Sequence, residues 1–215
     1  MGGLLIPVAS KGKDTMIEAW HDRARQWMGQ DRLVVARIFL HLRGQEVAPL
    51  LGVLNQAGRE ARAAEGDLRV LGEGLLGLIQ ALLQHQTYWQ SAANEGDVFW
   101  DEGEASQYFN ELFLDSAQRY LSDPGDGVEA EDAPLSLPAS TNWVVMITVA
   151  VAGEVPALET DLSSLPALTE SLRSLAQLVD QGRLRAIQVH FSPAQLGDEL
   201  TDDQLLQQFP ELLPL

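Results

Sequence analysis

Residues 141 to 153, TNWVVMITVAVAG, carry apolar side chains on both alternating sets. A strand that is apolar on both faces belongs at the centre of a sheet. The rest of the chain must therefore supply strands to flank it and helices to cover it. DRLVVARIFLHLRG sets Val34, Ala36, Ile38, Leu40 and Leu42 against Val35, Arg37, Phe39, His41 and Arg43. That period of two predicts a strand with one buried and one mixed face. RLRAIQVHF alternates again, with Ile187, Val189 and Phe191 pointing inward.

Between these strands the apolar spacing changes to that of helices. One stripe is Val47, Leu50, Leu51, Leu54, Ala57 and Ala61, and after the Gly66 break a second is Leu68, Leu71, Leu75, Leu78, Ile79 and Leu82. Tyr108 or Phe109, Leu112, Phe113, Ala117 and Tyr120 mark a third helix, which has to stop by Pro124. Leu165, Leu168, Leu172, Leu175 and Val179 mark a fourth, closed by Gly182. Capping boxes at Thr15 to Glu18 and Thr201 to Gln204 open a helix over 15–29, with Trp20 and Trp27 on one side, and a short C-terminal helix whose apolar tail should dock.

This order predicts an α+β fold, a small three- to four-stranded sheet covered by amphipathic helices mainly on one face. Residues 1–30 form an N-terminal extension, and 31–215 a single domain with an acidic Pro/Gly linker near 123–140. A right-handed crossover would make the last two long strands parallel if they are neighbours. A faint echo links LHLRGQEVAPLL and VAVAGEVPAL, each ending a strand at glycine.

Composition removes several functions. The chain has 14 basic against 31 acidic side chains, a net charge of −17, which repels nucleic acid. It has no cysteine, so thiol nucleophiles and zinc–thiolate sites are excluded. No apolar run approaches about 18 residues, and Ile6 stands where a myristoylation signal carries Ser or Thr. The expectation is a soluble, cytoplasmic protein.

Motifs for chemistry are sparse. His21, His41, His85 and His190 lack metal-helix spacing; His41 and His190 would approach one another only if their strands were adjacent. The runs NEGDVFWDEGE and DPGDGVEAED are acidic but lack the spacing of a calcium loop. No G-x-S-x-G elbow or phosphate loop occurs, and Asp101 with Glu104 is a pair that abundant acids supply by chance. No catalytic residue, metal ligand or cofactor is assigned. The one concentrated feature is LLQHQTYWQSAANEGDVFWDEGE, where His85, Tyr88, Trp89, Phe99 and Trp100 form a candidate binding surface. The favoured reading is that these aromatics plug the end of the core where a helix turns into an edge strand, with the acids after Ala93 in the next loop.

ALLQHQTYWQSA, NWVVMITVAVA and LRAIQVHFSPAQLGDELTDDQLLQQFPELLPL resemble the glycine-rich family called domain of unknown function 1517, of cyanobacteria and plastids. The matching positions are His85, Tyr88, Trp89 and Ala92, then Val144, Val145 and Thr148. In the third segment they include Pro193, Gly197, Asp198, Leu200, Asp203, Leu205, Phe209, Pro210 and Leu212. The family's proline after the histidine is Gln86 here, and its membrane segment and glycine-rich stretch are absent, so membrane association does not carry over. The resemblance implies no catalytic residue or cofactor, and a regulatory role connected with photosynthetic acclimation.

The leading expectation is thus a non-enzymatic interaction or regulatory module with a protein partner or a second copy of itself. Its rival is a small-ligand or divalent-cation binder, and the weakest option is an unrecognised hydrolase.

Overall fold

The computed structural model describes residues 32–63, 67–121, 141–193 and 199–215. The expected helix over 15–29, the linker at 123–140 and DPGDGVEAED lie outside them. Five strands form one sheet: β1 (Leu33–Arg43), β2 (Trp89–Phe99), β3 (Asn142–Ala152), β4 (Leu184–Ser192) and β5 (Leu213–Pro214). Their order is β4-β3-β1-β2-β5, and every neighbouring pair is antiparallel. The helices are α1 (Ala48–Ala63), α2 (Leu68–Gln84), α3 (Glu102–Leu121), α4 (Leu165–Asp180) and α5 (Asp202–Gln208).

Two expectations about strand number and direction are corrected. The sheet has five strands instead of three or four, because QSAANEGDVF continues β2 as a full partner of β1 and the tail adds β5. The neighbours β3 and β4 are antiparallel, not parallel. The segment 153–164 first runs back over the sheet, where Asn94 holds it through Thr160 O and Leu162 N, both at 2.9 Å. Helix α4 then starts beside Gln86, which donates to Thr169 Oγ1, and ends near Ala152, whose N–H donates to Arg183 O. Segment and helix together return the chain to the end it left, so β4 must run against β3.

Both sheet faces are covered. Val34, Ile38, Leu40, Trp143, Ile147 and Phe191 pack with α1, α2 and α4 on the first face. On the second, Leu33, Val35, Ala150 and Ala186 meet Ala105, Phe109 and Leu112 of α3, while Phe39 and Met146 meet Leu200 and Phe209 of the C-terminal segment. β1 is therefore buried on both faces from Leu33 to Leu42, where alternation suggested a mixed face. β3 sits between β4 and β1, as its apolar sequence requires.

Ends are set by local chemistry. Asp67 caps α2 by accepting from Arg69 N at 2.8 Å, and the Thr201–Gln204 capping box closes the start of α5. The echo in the sequence corresponds to two strand ends with a positive φ, at Gly44 (138°) and Gly153 (85°). Only glycine adopts these without strain.

Gly96 matters for space. A Cβ there would lie 2.5 Å from the Val35 carbonyl oxygen and 3.0 Å from Ala36 Cα. Both are backbone atoms of the central strand and cannot rotate away. Gly96→Ala should cost about 1–3 kcal/mol of unfolding free energy, read by urea denaturation. No loss would mean that β1 and β2 part freely at this point.

The C-terminal residues cross the outer edge of β2. α5 and Phe209 lie on the α3 face, Leu213 pairs with Ala92, and Leu215 packs into the core of the opposite face. Arg119 of α3 ties this segment down, donating to Gln208 O at 2.9 Å and pairing with Glu211.

Candidate functional site

The five aromatic candidates do not gather in one place. Trp89 and Phe99 are the two ends of β2, about 33 Å apart along an eleven-residue strand. Trp89 is buried, and its indole N–H donates to Leu82 O at 3.2 Å, closing the end of α2. Trp89→Phe removes part of the buried ring and leaves that carbonyl without its side-chain donor, so a loss of about 1–3 kcal/mol is expected in thermal or urea unfolding. His85 caps α2: its Nδ1 lies 2.7 Å from Ala81 O, which fixes Nδ1 as the protonated nitrogen because a carbonyl only accepts. Tyr88 lies over the turn at Gly44, where a Cβ would sit 3.2 Å from its ring, with its ring centroid 6.2 Å from that of His85. At the far end, Phe99 packs on Tyr108 with centroids 5.3 Å apart, and Trp100 stays 53% exposed.

The acids after Ala93 do not form a loop. Glu95 and Asp97 are strand residues paired opposite Arg37 and Val35. Asp101 caps α3, its Oδ1 accepting from Glu104 N at 2.9 Å, so the suspected acid pair serves a helix start. Among the described residues, no group of three or more His, Asp or Glu side chains is placed to hold a metal ion.

His41 and His190 share the α3 face but not neighbouring strands, because β3 separates β1 from β4. His41 bonds Ser91 Oγ at 3.0 Å and Asn142 Oδ1 at 3.2 Å, and burial holds its pKa below the ordinary imidazole value. His190 lies 5.5 Å from the Phe113 ring and 3.0 Å from Gln188 Nε2. Burial, reinforced by the Arg37 charge, lowers it to about 4. Both imidazoles are neutral at pH 7.

Alternation alone did not reveal the row that crosses this face. Register places Glu95, Arg37, Thr148 and Gln188 side by side on four strands. Arg37 is 2% exposed and all its donors are used. Nε donates to Glu95 Oε1 at 2.8 Å, Nη2 pairs with the same oxygen and with Asp115 at 2.6 Å, and Nη1 donates to Leu112 O and Ser116 Oγ. Its guanidinium carbon lies 4.6 Å from the centroid of Phe39, and that of Arg119 lies 5.3 Å from it. Thr148 Oγ1 and Gln188 Oε1, both buried, have no hydrogen-bond partner among the described residues. On the outer side of this row, Glu95, Gly96 and Asp97 are exposed. Burial and the nearby Glu95 and Asp97 charges raise the Tyr108 phenol above its ordinary value.

A family described as protein of unknown function (DUF1517) matches residues 32–215. The chain belongs to the DUF1517 family. Among curated relatives, Protein FLAP1 homolog A of Synechocystis sp. is 28% identical over 166 residues, which is 69% of this chain and 46% of that protein. The chain thus spans less than half the length of the relative it matches. No solved structure matches. Of the residues on which the resemblance rests, His85, Tyr88 and Trp89 form the α2–β2 junction, and Thr148 stands in the buried row. Leu200 and Phe209 pack under Phe39.

Proposed function

We propose that this DUF1517 chain is a non-enzymatic interaction or regulatory module, acting as one α+β domain over 31–215. A cytoplasmic location and a part in photosynthetic acclimation belong to the same proposal, the latter supported by the family resemblance. One observation carries it: buried and half-buried polar side chains hold the elements together while a row of acids stays exposed at the sheet edge. Arg37, His41 and Asn142, buried, and Arg119, half-buried, are engaged in joining strands to helices and tail. Outside, an acidic stretch of strand edge lies at Glu95–Asp97, next to the exposed Trp100. That arrangement offers a surface for a partner.

Cross-linking and mass spectrometry on the full chain in native extract, with light scattering of the purified protein, tests the reading. The expected result is a defined complex; a monomer that cross-links to nothing would remove it. The small-ligand reading has one observation in its favour. Trp143, whose Nε1 is buried without a hydrogen-bond partner among the described residues, lines a cavity of about 10 Å3 with Val47, Leu50, Leu54 and Phe191. That volume suits one water molecule and not a metabolite. A thermal-shift panel of metals and metabolites discriminates, since a ligand at 100 times its dissociation constant adds about 2.7 kcal/mol.

A further inference from the structure

We propose that the outer edge of β2 from Asn94 to Val98 takes an extended, lysine- or arginine-bearing segment of a partner protein as an added strand. This rests on the interaction-module reading and names the partner's chemistry. The edge already accepts a strand from its own chain: Leu215 N donates to Gln90 O at 3.0 Å, and Leu213 pairs with Ala92. Pro214, which has no N–H, falls opposite Ser91, where none is needed. Backbone groups alternate in direction along an antiparallel strand, and β2 keeps a regular register with β1 from Ser91 to Phe99. Asn94, Gly96 and Val98 therefore direct their N–H and C=O groups outward, as Ala92 does, beyond the point where β5 stops.

Val98 N–H is occupied by Asp97 Oδ1 at 2.7 Å, a contact an incoming strand replaces. Side-chain chemistry then selects the occupant. Glu95 and Asp97 line the α3 side of this edge with Glu111 nearby, and Arg37 is the cation paired with Glu95. A second copy would set carboxylate against carboxylate on chains of net charge −17, whereas basic residues at alternate positions meet these acids. Trp100 adds an exposed aromatic at the end of the strand.

The probe is an amide-capped Lys-Val-Lys-Val-Lys peptide titrated into the 15N-labelled full chain. Controls are its glutamate counterpart and a copy N-methylated at the valines. The expected result is slowed exchange of the Asn94 and Gly96 amides, binding that weakens with salt, and no binding of either control. Asp97→Lys, an exposed substitution that leaves the core intact, should weaken binding about fivefold. No binding, equal binding of the N-methylated copy, or amide protection elsewhere overturns the proposal, as does a dimer joined through 94–98. A partner cross-linked away from 94–98 removes this inference and leaves the module reading standing; no partner at all removes the module reading itself.

Discussion

Arg37→Met should lower unfolding free energy by about 3 kcal/mol at neutral pH, in the lower part of the range for breaking a buried ion pair. The position within that range follows from the partners. Arg37 is buried, but the side chains of Glu95 and Asp115 keep 42% and 43% of their exposure, so water solvates them once the cation is gone. The groups that lose a donor inside are the Leu112 carbonyl, which still accepts from the Ser116 hydroxyl, the Ser116 oxygen itself, and the face of the Phe39 ring. Methionine fills most of the aliphatic volume, so the loss reports polar pairing more than a cavity. Arg37→Lys should recover part of it, because a single ammonium cannot serve β2 and two turns of α3 together. Urea titrations of the three proteins measure this. A loss below about 1 kcal/mol would show that desolvating the guanidinium nearly cancels its bonds.

The second large effect is on pH. His190 has a folded pKa of about 4, against about 6.5 when unfolded. The unfolded chain therefore takes up a proton that the fold refuses. The stability contributed by neutral His190 is complete above about 6.5, falls as pH drops from there towards 4, and is fully lost below. A difference near 2.5 units corresponds to about 3 kcal/mol. His41, also lowered, acts in the same direction. Glu159 and Asp202, held low chiefly by Arg32 and by Asn142 respectively, lose their contributions only below the ordinary carboxylate values. The histidine window thus lies above theirs. Chemical denaturation between pH 7 and 4.5 should show a decline in the native chain that is mostly absent in His190→Gln. An equal decline in both would assign the acid sensitivity to other groups.

Much of the framework was legible because local patterns were consistent with the fold. The two-sided apolar run at 142–152 became the inner strand β3, and the stripes of α2 and α4 are buried at Leu71, Leu75, Leu78, Leu168, Leu172 and Leu175. The Thr201 box and the Gly182 turn formed where read. Features fixed by distant residues were not legible. Arg37 reads as one member of a mixed strand face until Glu95 and Asp115 are brought to it, and Gly96 reads as loop until β1 approaches it. Charge density misled at NEGDV, since an edge strand tolerates acids that a central strand would not. The aromatics looked concentrated because sequence distance ignores the length of an extended strand.

The place of β1 in the sheet has a consequence for how the chain is made. Among the described strands it is the first to leave the ribosome, yet its partners β2 and β3 begin 56 and 109 residues after its own first residue. Until both are synthesised, a strand of LVVARIFLHL has two open sides and two apolar faces. Pairings over such separations form slowly, so the nascent chain carries this apolar segment unprotected until β3 has been made. Protection by cellular folding factors during synthesis should therefore affect the yield of this protein more than its final stability does.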